Sequence, residues 1–154
     1  MTKNLLLSLF LILGFSWACQ EKIESSTADA PAEVKPLNPN GDSELALLMR
    51  AMYQEAESVR DQIKNGKKVS LNLDHGKILT AHATEPEKAA SAEFKGFAKH
   101  YLNQVEKLQN SNAQNVDANF ESLVSSCMTC HKALCPGPVV RIKKLQKPIK
   151  KVNS

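Results

Sequence analysis

At 154 residues the chain has room for one domain rather than two. Hydrophobic residues at 42% and charged residues at 23% are ordinary for a globular protein, while aromatics at 5% and few β-branched runs argue against an all-β sandwich. The net charge of +4 (20 Lys+Arg against 16 Asp+Glu) is modest, and four cysteines are too few for a disulfide scaffold.

Residues 1–18 read as an export signal. Lys3 gives a basic start, and residues 5–15 form an apolar run too short to span a bilayer comfortably. The run Phe15-Ser16-Trp17-Ala18-Cys19 resembles a bacterial lipobox, in which cleavage precedes the cysteine and the cysteine is lipidated. Ser16 and Trp17 depart from its usual residues; a plain secretory signal with an incidental cysteine is the alternative. Residues 19–41, rich in Pro, Ser, Ala and acids, lack apolar periodicity and read as a tether. The expected location is the periplasmic side of a bacterial membrane, held through a lipid on Cys19, or otherwise the soluble periplasm.

The remaining chain predicts helices. Asp42, Ser43 and Glu44 are a helix start, and Leu45, Leu48, Met49, Met52, Ala56, Val59 and Ile63 follow at helical spacing. Asn65-Gly66 stops this helix, glycine suiting a left-handed cap. Residues 67–83 are less regular, with Asp74 placed to cap a short helix carrying Ile78, Leu79 and His82. Thr84-Glu85-Pro86-Glu87 has the form of a capping box opening a third helix, which lines up Ala90, Phe94, Phe97, Tyr101, Val105 and Leu108. Ser111 with Gln114 repeats that pattern before a fourth helix carrying Val116, Phe120, Leu123, Val124, Cys127 and His131. Cys135-Pro136-Gly137-Pro138 ends it. Three long helices, one short one and brief connections over 42–135 describe an all-α, antiparallel four-helix bundle.

Cys127-Met128-Thr129-Cys130-His131 is a C-x-x-C-H signature, the attachment pattern of c-type haem. Each thiol adds to one vinyl group, the two-residue spacer sets the sulfurs apart accordingly, and the next imidazole turns onto the iron. On a helix Cys127 and His131 share one face, which continues the apolar stripe of Phe120 and Leu123. A zinc site using Cys127, Cys130, His131 and Cys135 competes with this reading, but adjacent Cys130 and His131 make a closed tetrahedron awkward. A thioredoxin-like dithiol would need a βαβ context that the sequence does not suggest.

A four-helix bundle with C-x-x-C-H late in its last helix resembles the cytochrome c-prime family, most closely its low-spin members, over residues 42–135. That resemblance implies one covalent haem c, with His131 as proximal ligand and a first-helix side chain on the distal side. In low-spin members the distal side chain is Met. Here Met52, with Met49 as the alternative, stands at the implied depth, counted from the cap at Asp42 or Ser43. His82 is a further alternative ligand; His75 and His100 are expected to face solvent and Tyr101 to be a core aromatic. The resemblance implies a non-enzymatic electron carrier serving redox partner proteins, and a homodimer through the first two helices. Five-coordinate relatives bind nitric oxide or carbon monoxide, which is the alternative function. The short second segment and the early end of the fourth helix depart from the family.

Cys135 reads as a buried thiol, or as one open to an intermolecular disulfide. Residues 136–154 form a basic tail with Arg141, Lys143, Lys144, Lys147, Lys150 and Lys151 and no acid. Without residues 1–18 the balance is 19 against 16; without these six as well it is 13 against 16, so the positive excess sits in the tail. Such a tail steers acidic partners, touches anionic lipid, or simply stays solvated. Nucleic acid is not an expected partner, because no aromatics interleave these lysines.

Overall fold

The computed structural model describes residues 42–152. The expected leader, Cys19 and the tether up to residue 41 lie outside the described residues. The elements are α1 (Glu44–Lys64), a 3-10 helix (His75–Leu79), α2 (Pro86–Ala90), α3 (Ala92–Gln109), α4 (Val116–Leu134) and α5 (Val139–Ile142). There is no strand among the described residues, and the all-α expectation holds.

The first helix begins and ends where its sequence directs. Ser43 Oγ accepts the Ala46 N–H at 3.2 Å, and Glu44 sits in the positive first turn. At the other end the Asn65 N–H donates to the carbonyls of Asp61 and Gln62, and Gly66 takes φ +64°, the left-handed conformation that glycine tolerates. Asp74 caps the 3-10 helix, its Oδ1 accepting the Gly76 N–H at 3.1 Å. His82, expected on this segment, falls beyond its end.

Two predicted helix starts are relocated. The Thr84–Glu87 box does not open one long helix. Thr84 Oγ1 donates instead to Ser43 Oγ at 2.9 Å, and α2 has no side-chain cap. The chain breaks at Ser91, whose ψ of 151° is extended. Ser91 Oγ donates to the Lys88 carbonyl and accepts the Phe94 N–H, closing α2 and opening α3 with one hydroxyl. Before α4, Asn112 Oδ1 accepts the Gln114 N–H at 2.9 Å while Asn115 Oδ1 accepts the Asn112 N–H at 2.8 Å. These paired amides fix the turn, and the Ser111–Gln114 box does not form.

The helices α3 and α4 make an antiparallel hairpin, pinned near its turn by Asn119 Nδ2 donating to the Lys107 carbonyl and to Ser111 Oγ. The C-terminal end of α1 lies beside the N-terminal end of α4. Val152 N–H donates to the Lys64 carbonyl at 3.1 Å, and the neighbouring Lys151 Nζ reaches Asp117 Oδ2 at 2.6 Å. At this end the core is dense: Val59, Ile63, Leu108 and Phe120 are at most 2% exposed.

The basic segment packs onto the body. Ile142 and Leu145 are buried in the core and Ile149 is half-buried against it. Arg141 stacks over the Tyr53 ring at 4.3 Å, and Arg60 Nη2 donates to the Lys147 carbonyl at 2.9 Å. Residues 141–152 therefore run alongside the second half of α1, with Ile142, Leu145 and Ile149 inward and Val152 and the lysines exposed.

Candidate functional site

The motif occupies the last turns of α4. Cys127, Cys130 and His131 are all half-buried, and Met128 between them is buried in the core. Burial pushes the Cys127 thiol up from its ordinary 9.0 to about 12, with Cys130 adding to the effect. Burial, then Cys135 and Glu93, push Cys130 up to about 11. Both sulfurs therefore carry their protons at neutral pH, the form that adds across a carbon–carbon double bond.

His131 Nδ1 lies 3.0 Å from the Cys135 carbonyl, four residues on. An Nδ1–H donated to that carbonyl leaves Nε2 with its lone pair, the tautomer a metal-binding imidazole needs. Burial also lowers the pKa of His131, which favours the neutral ring. The helix end that supplies the carbonyl is set by Pro136 and Pro138, which cannot continue the ladder. The donor set thus fits haem attachment: two protonated thiols at the right spacing and an imidazole held neutral with one nitrogen free.

Met52 is 8% exposed and Met49, one turn earlier on α1, is half-buried against the same core. Met52 and the motif thus lie on two helices that touch in one core. The apolar side chains of this half are less covered than those near the tail: Leu45, Leu48, Met49, Phe97 and Leu134 are only half-buried. A flat apolar ring would cover such side chains. His82 is placed otherwise. Its side chain is 94% exposed and its Nδ1 pairs with Glu44 Oε2 at 3.1 Å, outside the core.

The expectation that His75 faces solvent is overturned. It is 7% exposed, clamped between two buried partners. Its Nε2 is 2.8 Å from Glu55 Oε2 and its Nδ1 is 2.8 Å from the Tyr101 hydroxyl. Glu55 Oε1 in turn accepts the N–H groups of Asn72 (2.6 Å) and Leu73 (3.0 Å). Neither Glu55 Oε2 nor His75 Nε2 makes a hydrogen bond of good geometry, so their 2.8 Å contact is all that offsets the burial of either atom. The Tyr101 hydroxyl is held far above its usual range by burial, then by Cys127 and Glu55 nearby. A polar chain of Glu55, His75 and Tyr101 thus crosses the core from α1 to α3 and ends beside Cys127. His100 is exposed, as expected. Two surface grooves, of about 680 and 480 Å³, lie elsewhere. One is lined by α3 and α4 residues such as His100 and Asn119, the other by α4 and the basic segment, and neither includes a motif residue.

The thiol shifts carry a pH dependence. In the chain before haem attachment, the folded state keeps the Cys127 and Cys130 protons above the pH at which the unfolded thiols lose theirs. Their contribution to stability is full below about pH 9 and is lost as pH rises towards 11–12. Urea midpoints of the haem-free chain should fall between pH 8 and 11, and fall less in the Cys127→Ala/Cys130→Ala variant. Identical pH profiles for the two would contradict this.

Among the described residues no three His, Cys, Asp or Glu side chains converge as ligands of a metal ion, and no helix is long and apolar enough to cross a membrane. Neither a protein-family model, a curated protein nor a solved structure matches the chain.

Proposed function

We propose that this protein is an exported, non-enzymatic c-type cytochrome that transfers electrons through one covalently attached haem. The observation that carries the reading is the C-x-x-C-H run on α4, with His131 Nδ1 turned to the Cys135 carbonyl. When bound, the haem supplies a one-electron ferric/ferrous couple. Cys127 and Cys130 hold it through thioethers, His131 is the proximal ligand, and Met52 the distal one. A thioether ligand favours ferrous iron and raises the potential. The half-buried Leu45, Leu48 and Met49 shield the ring from water, which works in the same direction.

On this reading the helices form a cytochrome c-prime-like four-helix bundle, its second position filled by the short 3-10 helix. Glu55, His75 and Tyr101 act as a rigid polar strut that keeps α1, and with it Met52, at a fixed distance from α3, the helix that pairs with α4. A lipid on Cys19 and the tether hold the domain at a bacterial membrane, where it meets redox partner proteins.

The matured protein should be coloured. Its haem should survive denaturation and stain on a gel, and its intact mass should exceed that of the processed chain by one haem. A colourless protein with the mass of the bare chain would end this proposal.

A further inference from the structure

We infer that the end of the molecule opposite the C-x-x-C-H motif is a docking surface for an anionic lipid bilayer. Three segments bring their cations together there: Lys64 in the last turn of α1, Lys67 and Lys68 just after it, and Lys147, Lys150 and Lys151 in the C-terminal segment, all exposed. Three sets of contacts hold this cluster in place. Val152 N–H donates to the Lys64 carbonyl, Arg60 Nη2 reaches the Lys147 and Pro148 carbonyls, and the buried Ile142 and Leu145 anchor the segment. Lys67 N–H donates to the Gln62 carbonyl and Ser70 N–H to Gln62 Oε1, tying the turn to α1 as well. Of the acids at its border, Asp117 is already paired with Lys151, while Asp61 and Glu121 are exposed. Six lysines against these three acids leave the face net positive, at +3, and pre-arranged, so little ordering is lost on docking.

Three features favour lipid over an acidic protein. The exposed cations are all lysines, point charges suited to a fluid array of headgroups rather than to paired recognition of individual carboxylates. The one arginine, Arg60, is turned inward to backbone carbonyls. No aromatic side chain stands among these lysines to anchor a protein partner. Finally, Asp117 at this end and Cys130 are thirteen positions apart on one helix, about 20 Å at 1.5 Å per residue. A partner docked here would face away from the redox centre. This last argument alone rests on the proposed function; the binding test below does not.

The test uses the mature protein as purified, carrying Cys19→Ala and secreted behind a leader that an ordinary signal peptidase removes, so that neither a lipid nor the apolar leader anchors it. It is sedimented with vesicles of pure phosphatidylcholine or of phosphatidylcholine with one-third phosphatidylglycerol. Binding is expected to the anionic vesicles only, weakening as salt rises. Each neutralisation among Lys64→Gln, Lys147→Gln and Lys150→Gln should weaken it about five-fold. Lys95→Gln, an exposed lysine near the motif end of α3, should leave it unchanged. Equal binding to both vesicle types, or equal losses from Lys95→Gln, would overturn the inference. So would failure on anionic vesicles, and if the protein then bound a soluble polyglutamate peptide, the surface would belong to an acidic protein instead. Haem content measured in the same samples separates failure here from failure of the cytochrome assignment.

Discussion

Replacing Glu55 by Ala should destabilise the protein by about 2–3 kcal/mol, the range for removing a charged hydrogen-bond acceptor and leaving a buried polar group without a partner. The side chain is only 10% exposed and one carboxylate serves three groups: the Asn72 and Leu73 N–H donors and His75 Nε2. Alanine strands a buried imidazole that has no other partner at that nitrogen. Glu55→Gln keeps an acceptor for the loop and should cost less, about 1–2 kcal/mol. Tyr101→Phe removes the hydroxyl at His75 Nδ1 and should fall in the same smaller range. Because the three side chains form one network, the double variant Glu55→Ala/Tyr101→Phe should lose less than the sum of its parts. Urea midpoints measure all four. A Glu55→Ala loss under about 1 kcal/mol would mean that the network contributes little net stability.

Met52→Leu should abolish the sulfur-to-iron charge-transfer band of the matured protein while leaving Met49→Leu with that band intact. Leucine nearly conserves the volume of a side chain that is 8% exposed, so the fold should lose less than about 1.5 kcal/mol. The variant should also bind carbon monoxide at once in its reduced form, where the parent does not, and its midpoint potential should drop. If Met49→Leu removes the band instead, the two methionines exchange roles. If the parent already binds carbon monoxide and shows no band, the protein is a five-coordinate gas binder.

Local signals located most of the elements and the motif. Ser43 and Asn65-Gly66 bound α1 as their chemistry dictates, and the stripe of Phe120, Leu123 and Val124 is the buried face of α4. The failures have a common cause, competition between nearby groups of similar chemistry. The box at Thr84 and Glu87 is locally sound, yet Thr84 finds Ser43, forty-one residues away, and the serine at 91 takes the capping role. Ser111 and Gln114 lose to Asn112 and Asn115, each of whose side-chain oxygens accepts the other's backbone N–H. His75 was beyond reach for another reason. Its partners stand 20 residues before it and 26 after it, and nothing in an irregular stretch such as 67–83 marks that meeting. A lone acid on the inner face of an amphipathic helix, as Glu55 is, was the available hint. The basic segment could likewise have been read for its period: Ile142, Leu145 and Ile149 alternate with lysines at helical spacing.

The bond from Val152 to Lys64 and the burial of Ile142 and Leu145 give the segment 142–152 a share in the first helix's packing. A ribosome releases the amino end first, so the thiol-bearing helix emerges complete while the piece that finishes the core is still being made. A chain cut before residue 142 would keep the C-x-x-C-H run yet lose the contacts that close this end of the core.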